Sequence, residues 1–185
     1  MPPRVTVSLI ELCLFRRGPQ DLPYRPPLAL ACLLATVLVE LYTNLRIGEP
    51  MGLVIPTVLA SALFALVATR LVLRLAGHEP RYWQTLLALA GSGLLFAAVA
   101  APVRIAIGPI DPAILQGSAS PPTAYMIVAL MGLWRLAVIG HIWRHALQIR
   151  LPVGILVGLG LFLLEMALIV VLFAPVVSPS PASGA

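Results

Sequence analysis

Two charged residues lie inside the most apolar part of this chain and are its strongest candidates for chemistry. Arg135 and Glu165 each interrupt a long apolar segment, in a sequence that is 60% hydrophobic and only 10% charged. They lie fifteen residues before and fifteen residues after Arg150, so a helical hairpin that turns there would place both at one depth. At a rise of about 1.5 Å per residue, that depth is about 20 Å from the turn. The sequence therefore predicts an intramembrane charge pair.

The predicted pair has a structural and a functional interpretation. A charge at the centre of a bilayer costs roughly 2.5–3.5 kcal/mol on insertion scales, so Arg135 and Glu165 each need a partner. As a structural pair they would set the register of the hairpin; as a functional pair they would relay a proton or bind a substrate. Because a relay needs further polar groups and no Asp or His accompanies them at that depth, the structural interpretation is favoured. Glu40 is an additional candidate partner for Arg135.

Two histidines at helical spacing form a second, weaker candidate. His141 and His145 are four residues apart, so on a helix they share one face. Two imidazoles can ligate a metal, but a site usually adds a carboxylate, a third His or a Cys, and none is close in sequence. Trp143 and Arg144 between them are typical of a membrane interface. We therefore interpret the pair as interfacial and predict neither a metal nor a cofactor.

Glycines mark the expected helix contacts. Gly91 and Gly93 lie in a run of small residues, and Gly154 and Gly158 form a GxxxG motif. Small residues allow helix backbones to approach closely in a membrane. The motif is compatible with packing inside one bundle or with a homodimer, and packing inside the bundle is favoured.

Five apolar segments must position these residues. A soluble domain has about 25% charged residues, so a chain with 10% and a mean hydropathy of +1.00 indicates an integral membrane protein. The predicted fold is an all-α membrane protein, a bundle of five transmembrane helices preceded by a short interfacial amphipathic helix. The predicted spans are residues 28–45, 51–73, 82–103, 124–142 and 152–174.

The remaining segments flank or connect the spans. Within the N-terminal segment, residues 1–27, the apolar run 5–15 is too short to cross a bilayer, is interrupted by Glu11 and precedes two arginines. It is expected to lie in the interface. The connection 104–123 is rich in proline, and the sequence leaves open whether it re-enters the membrane. The tail 175–185, which has no charge, is expected to be disordered.

The arginines predict an orientation. All twelve basic residues are Arg. With Arg70, near the exit of the second span, counted to the connection that follows it, those outside the spans number four, one, three, one, two and none along the successive flanks and connections. This alternation follows the positive-inside rule for five helices with a cytoplasmic N-terminus and a periplasmic C-terminus. Arg without Lys in an Ala-, Leu-, Gly- and Pro-rich chain is typical of a GC-rich bacterial genome, which indicates the bacterial inner membrane. The net charge of +5 is then assigned to lipid contact rather than to nucleic acid.

The fourth span and its exit carry a family resemblance. The stretch Leu133-Trp-Arg-Leu-Ala-Val-Ile-Gly140, the exit Arg144-His-Ala-Leu147 and the glycine-rich fifth span resemble bacterial members of the Yip family, the Rab-interacting membrane proteins. The segment Leu14-Phe-Arg-Arg-Gly-Pro-Gln-Asp-Leu-Pro-Tyr24 is similar to the start of small proteobacterial inner-membrane proteins. The resemblance implies a five-span, N-inside layout. The DLxGP and GY-type motifs of eukaryotic members are absent, so it implies no functional residue.

Three functions are compatible with these features. The first is a non-enzymatic organising or accessory component of a membrane complex, with another membrane protein or a second copy of the chain as partner. The second is a subunit of a small oligomeric transporter or channel, with Arg135 and Glu165 in its path. The third, a lipid-modifying enzyme, is disfavoured because the sequence has no phosphate loop, HExxH, GxSxG or acidic metal cluster.

Overall fold

Residues 3–109 and 123–177 are described by a computed structural model of the chain, and they form six α-helices. The helices are α1 (Pro3–Cys13), α2 (Pro26–Ile47), α3 (Met51–Leu75), α4 (Tyr82–Ile107), α5 (Thr123–Leu147) and α6 (Leu151–Val177). Single 3-10 turns occur at Pro19–Asp21 and Glu79–Arg81. Within these described ranges there is no strand, so the predicted all-helical bundle is confirmed.

Five of the described helices, α2 to α6, are long and apolar enough to cross a bilayer, judged by length and composition. Each contains one predicted span and extends beyond it. Helix α4 continues through Pro102 to Ile107, and α6 continues to Val177, which makes the first three residues of the predicted tail helical. The rest of that tail, and most of the connection 104–123, lie outside the described residues. The chain is therefore a membrane protein, and its described part contains five helices that match the predicted spans.

Proline and glycine define the first hairpin of the bundle. Pro26 and Pro27 occupy the first positions of α2, where a missing backbone N–H removes no helical hydrogen bond. Gly48 ends the helix in the left-handed conformation at φ 90°, and its N–H donates to the carbonyl oxygen of Asn44 at 3.1 Å. Pro50 then precedes α3. The backbone is thereby turned within three residues, and α2 and α3 become adjacent.

Helix α4 lies at the centre of the bundle. Half (50%) of its apolar stretch is buried inside the molecule, against 6% in α3 and in α6. It packs most extensively along α2 and also contacts α1, α3 and α5, while α5 and α6 form a hairpin. We call the end of the bundle at residues 148–150, where α5 turns into α6, the turn end. The loop 76–81 lies there too, because Arg81 Nη1 donates to the carbonyl oxygen of Ala146 at 3.2 Å.

The predicted amphipathic helix is present, but it is docked on the flank of the bundle. The inward face of α1 carries Val5, Leu9 and Leu12, none of which is more than 5% exposed. Leu9 lies over Gly91, where an added Cβ would be 2.7 Å from Leu9 Cδ2. Gly91 is nine residues inside α4, so α1 contacts the bundle well away from the helix ends. The reason is steric, since a glycine on α4 leaves the depression that the leucine fills.

After α1 the chain returns along α5 toward the turn end. Trp134 Nε1 donates to the carbonyl oxygen of Cys13 at 3.0 Å, and His141 Nε2 lies 2.9 Å from the carbonyl oxygen of Arg17. Because His141 is two helical turns closer to the turn end than Trp134, these contacts give the direction of the return. We call residues 3–22, which comprise α1 and this return, the N-terminal arm.

Candidate functional site

Both predicted charges lie at the middle of their helices. Arg135 is twelve residues from either end of α5, and Glu165 is fourteen residues from the start and twelve from the end of α6. At about 1.5 Å per residue, Arg135 is about 18 Å from either end of α5. Glu165 is about 21 Å from the start of α6 and about 18 Å from its end. Both charges are therefore deep in the hairpin, but they are not level, because Gly154 meets Gly140 and Gly158 meets Ile139. These contacts place Glu165 roughly one helical turn beyond the level of Arg135.

The predicted contact between the two side chains is not formed. The ion pairs of the described residues are Arg17–Glu11, Arg70–Glu79 and Arg104–Glu40. Arg135 is exposed and Glu165 is half-buried. The Arg135 guanidinium lies beside α4, with Nη2 3.9 Å from the position that a Cβ on Gly93 would occupy. Arg135 and Glu165 therefore do not pair with each other in the described part of the chain.

The crossing of α5 and α6 explains why the charges do not meet. A Cβ on Gly154 would collide with the carbonyl oxygen of Gly140, so the two backbones are in contact there and Gly140 faces α6. Val138 is completely buried in the core cluster that includes α4, and Arg135 lies one turn away on the same side. The crossing thus sets the rotation of α5 so that Arg135 is directed toward α4 and away from α6. Glu165 follows Gly158 by seven residues and so lies on the side of α6 that faces α5.

The hairpin is packed at one half only. The buried residues of α5 all lie in the range 138–146, and those of α6 are Gly154 and Gly158. We call residues 123–137 and 159–173 the outer hairpin. None of its residues is classed as buried. Both mid-helix charges belong to this outer hairpin, just beyond the point at which the two helices leave the core.

Glu40 has a partner, and it is not Arg135. Its Oε2 is 2.7 Å from Nη1 of Arg104, with the side chains 26% and 31% exposed. Sequence reasoning missed this pair because it placed Arg104 in a connection after the third span. Helix α4 continues through Pro102, which brings the guanidinium alongside α2.

The predicted packing glycines lie in helix contacts inside the chain. Besides the contacts of Gly91, Gly93 and Gly154, an added Cβ on Gly158 would be 2.7 Å from Ile139 Cγ2. The GxxxG face of α6 is thus covered by α5 of the same chain. Gly132 and Gly160, both in the outer hairpin, have no heavy atom within 4 Å of an added Cβ.

His141 binds the N-terminal arm, and the interpretation of the two histidines as interfacial stays a prediction. His141 is 5% exposed and donates from Nε2 to the carbonyl oxygen of Arg17, since a carbonyl can only accept. Its ring centroid is 5.2 Å from that of Phe15 and 4.6 Å from that of His145, both edge-to-face. Residues 3–109 and 123–177 contain no group of three or more His, Cys, Asp or Glu that could hold a metal ion.

A polar contact within the arm was not found by sequence reasoning. Arg17 Nε is 2.6 Å from Glu11 Oε2, and Arg17 Nη1 donates to Ser8 Oγ at 3.1 Å. The signal was the spacing of Ser8 and Glu11, which share one side of α1 just before the two arginines. Burial raises the pKa of the nearby Cys13 thiol to about 11. Near neutral pH this thiol is protonated, so it is not an activated nucleophile.

A small polar cavity lies at the turn end between the arm, α4 and α5. It is lined by Pro19, Gln20, Arg81, Gln84, Thr85, His145 and Ala146, and has room for about one water molecule. The hydroxyl of Thr85 is fully buried there without a hydrogen-bond partner among the described residues. A buried hydroxyl of this kind is usually satisfied by water. The cavity is too small for an organic substrate.

Comparison with known proteins adds no functional information: no family model matches the chain, and neither a curated protein nor a solved structure is similar to it. The likeness to the Yip family stays a prediction.

Proposed function

We propose that this chain is a non-enzymatic membrane protein that works as an organising or accessory component of a membrane assembly. The observation that carries the proposal is the exposed Arg135 at the middle of α5, with Glu165 near the middle of α6, neither of which has an ion-pair partner among the described residues. Both are in the outer hairpin, none of whose residues is buried.

Neither lipid nor water is a satisfactory surrounding for these charges. Arginine side chains can reach toward the headgroups when they lie near a helix end, but Arg135 is about 18 Å from both ends of its helix. An intramembrane charge without such a route pairs with another charge or lines a cavity. Since residues 3–109 and 123–177 do not supply the pair, a partner surface in the membrane is the arrangement that lowers this cost.

The orientation forms part of the proposal. We place the turn end in the cytoplasm, the C-terminus in the periplasm and the protein in a bacterial inner membrane. Two observations support this orientation. The first is the arginine distribution along the sequence. The second is that the arm's return, the loop 76–81 and the basic turn 148–150 lie together at one end of the bundle. Cysteine-accessibility labelling of the turn, at a cysteine introduced for Gln148, tests this arrangement in intact cells.

Native mass measurement after extraction in mild detergent tests the proposed function. We expect the wild-type chain of 19.7 kDa to carry additional protein mass, and Arg135→Ala and Glu165→Gln to remove most of it. The matched controls are Arg150→Ala and Glu49→Gln, which neutralise exposed charges in turns and should leave the mass unchanged. If wild type and all four variants are monomeric, the proposal is wrong.

The same preparations test the alternative function. In liposomes, a transporter or channel subunit would give an ion or solute flux that Arg135→Ala abolishes and Arg150→Ala does not. We expect no such flux. A flux that depends on Arg135 would replace the proposed function with the transport function.

A further inference from the structure

The N-terminal arm descends along the bundle from the turn end. Leu9 lies over Gly91, nine residues from the start of α4, a level about 14 Å from the turn end. The carbonyl oxygen of Cys13 accepts a hydrogen bond from Trp134, thirteen residues from the end of α5, a level about 20 Å from the turn end. The four residues from Leu9 to Cys13 thus gain about 6 Å of depth, as expected of a helix that runs parallel to the spans.

The chain then returns through the same depths. The carbonyl oxygen of Arg17 lies 2.9 Å from Nε2 of His141, six residues from the end of α5. That of Leu22 accepts a hydrogen bond of 3.1 Å from Nε2 of Gln84, two residues from the start of α4. These levels are about 9 Å and about 3 Å from the turn end. The arm is therefore re-entrant: it descends as α1, turns at residues 13–15 and comes back to the turn end.

The hydrogen bonds of the arm fit a position at membrane depth. Irregular backbone is tolerated there only where protein or a water-filled cavity satisfies its polar groups. Side chains of Trp134, His141 and Gln84 donate to the carbonyl oxygens of residues 13, 17 and 22. The N–H groups of residues 14–16 donate to carbonyl oxygens near the end of α1. The bundle and α1 thus supply hydrogen bonds that water would otherwise make.

One side of α1 is apolar and exposed. Val7, Ile10 and Leu14 are 53%, 46% and 44% exposed, and their spacing places them on one stripe of the helix. This stripe is opposite the side on which Leu9 and Leu12 enter the core. It extends over the depth that α1 spans along the bundle, where the surrounding medium of a membrane protein is lipid.

Two adjacent arginines follow the tip of the arm, and one of them is not compensated. Arg17 Nε is 2.6 Å from Glu11 Oε2, and Arg17 Nη1 donates to Ser8 Oγ. Arg16 is exposed, and its side chain has no ion pair or hydrogen bond within residues 3–109 and 123–177. It lies nearer the turn end than Arg135 does, so its long side chain can extend to the headgroups.

We propose that the arm binds an anionic phospholipid of the leaflet at the turn end. The lipid phosphate lies on the Arg16 guanidinium, and an acyl chain lies along Val7, Ile10 and Leu14. Arginine and phosphate form strong, charge-assisted hydrogen bonds that are often bidentate. Because no carboxylate of the described residues balances Arg16, a lipid with a net negative charge is favoured over a zwitterionic one. This inference goes beyond the proposed function, since it concerns the arm and not the outer hairpin.

Native mass measurement of bound lipid tests the site. The protein in mild detergent is incubated with phosphatidylglycerol or with phosphatidylcholine that has the same chains. We expect the wild-type chain to retain one phosphatidylglycerol in preference to phosphatidylcholine. Arg16→Gln should lower that retention about fivefold, as expected for one arginine near a membrane surface. Retention that is the same for the two lipids, or unchanged in Arg16→Gln, contradicts the proposal.

Arg25→Gln is the matched control. Arg25 is exposed where α2 begins, three residues after Leu22, and has no ion pair among the described residues. Its substitution removes the same charge and should leave retention unchanged. An equal loss in Arg16→Gln and Arg25→Gln would mean that lipid is attracted generally to the basic end of the bundle, and the specific site would be wrong.

A second substitution at the same position separates charge from packing. Arg16→Lys keeps the cation and should retain more phosphatidylglycerol than Arg16→Gln does. Equal retention in these two variants would show that the charge does not hold the lipid. Circular dichroism compares the helical content of each variant with wild type. If Arg16→Gln is not folded, the comparison of the two lipids on the wild-type chain decides.

An excess of inorganic phosphate distinguishes a lipid from a free anion. It should displace little of the phosphatidylglycerol from the wild-type chain, because the free ion lacks the acyl chain that contacts α1. Full displacement would mean that Arg16 binds free phosphate and that the lipid is not its ligand. The additional protein mass expected for the proposed function does not depend on Arg16, so either proposal can fail without the other.

Discussion

The two halves of the α5–α6 hairpin have the same helices and much the same apolar composition, but they differ in packing. In the half nearer the turn, Val138, Ile142 and Trp143 are buried and Gly154 touches the α5 backbone. In the outer hairpin no residue is classed as buried, although Gly132 and Gly160 are also there. Glycine and hydrophobicity therefore do not by themselves produce packing. Packing follows where small residues of two helices coincide at one level.

The largest expected difference between the two halves concerns their tryptophans. Trp143 is 1% exposed and joins α3, α5 and α6 in one cluster, whereas Trp134 is 48% exposed. Trp143→Ala should lower the free energy of unfolding by about 3–5 kcal/mol because it leaves a cavity. Trp134→Ala should lower it by only about 1 kcal/mol, mainly through the lost hydrogen bond to Cys13. Equilibrium unfolding in mixed micelles measures both, and equal losses would contradict the division of the hairpin.

The arm extends the comparison, because it packs with Leu9 and Leu12 in the buried core and contacts the outer hairpin at Trp134. Leu9→Ala should lower the free energy of unfolding by about 2–3 kcal/mol, since Leu9 is 1% exposed and fills the depression over Gly91. Ile10→Ala, at a neighbouring position that is 46% exposed, is the matched control and should change it by less than about 0.5 kcal/mol. An arm that merely lies on the membrane surface would give two small and similar effects.

The helix crossing gives a smaller but more specific test. Gly154→Ala adds a methyl group that collides with the α5 backbone, and overpacking of this kind costs about 1–3 kcal/mol. Gly160→Ala places the same group in open space and should be neutral or slightly stabilising, since alanine favours helix more than glycine does. Thermal unfolding of the two variants in one detergent compares them directly. A destabilised Gly160→Ala chain would mean that the outer hairpin is covered.

The smallest expected effect concerns the pairing of charges. Glu40 and Arg104 are joined at 2.7 Å across α2 and α4, whereas the charges of the outer hairpin are not joined within the chain. A double-mutant cycle with Glu40→Gln and Arg104→Gln should give a coupling of about 0.5–1 kcal/mol, as expected for a partly exposed pair. The same cycle on Arg135 and Glu165 in monomeric detergent preparations should give none. Coupling there would show an internal pair.

Several features could be predicted from the sequence because they depend on local composition. The five apolar helices, the mid-helix positions of Arg135 and Glu165, and the involvement of Gly154 in close packing follow from hydropathy, a constant rise per residue and side-chain size. The partners of charged and polar groups could not be predicted in this way. Glu40 pairs with Arg104 because α4 continues beyond its proline, and His141 binds the arm because the arm folds back along α5.

What the sequence by itself determined is which segments are helical and apolar, where they begin and end to within a few residues, and how deep each charge lies. Only the tertiary structure decided the direction in which each side chain points. The rotation of a helix about its axis is set by contacts with its neighbours, here the crossing of Gly140 with Gly154, and a rotation changes every lateral contact without changing depth. For this reason Arg135 and Glu165 remain apart although both lie near the middle of their helices.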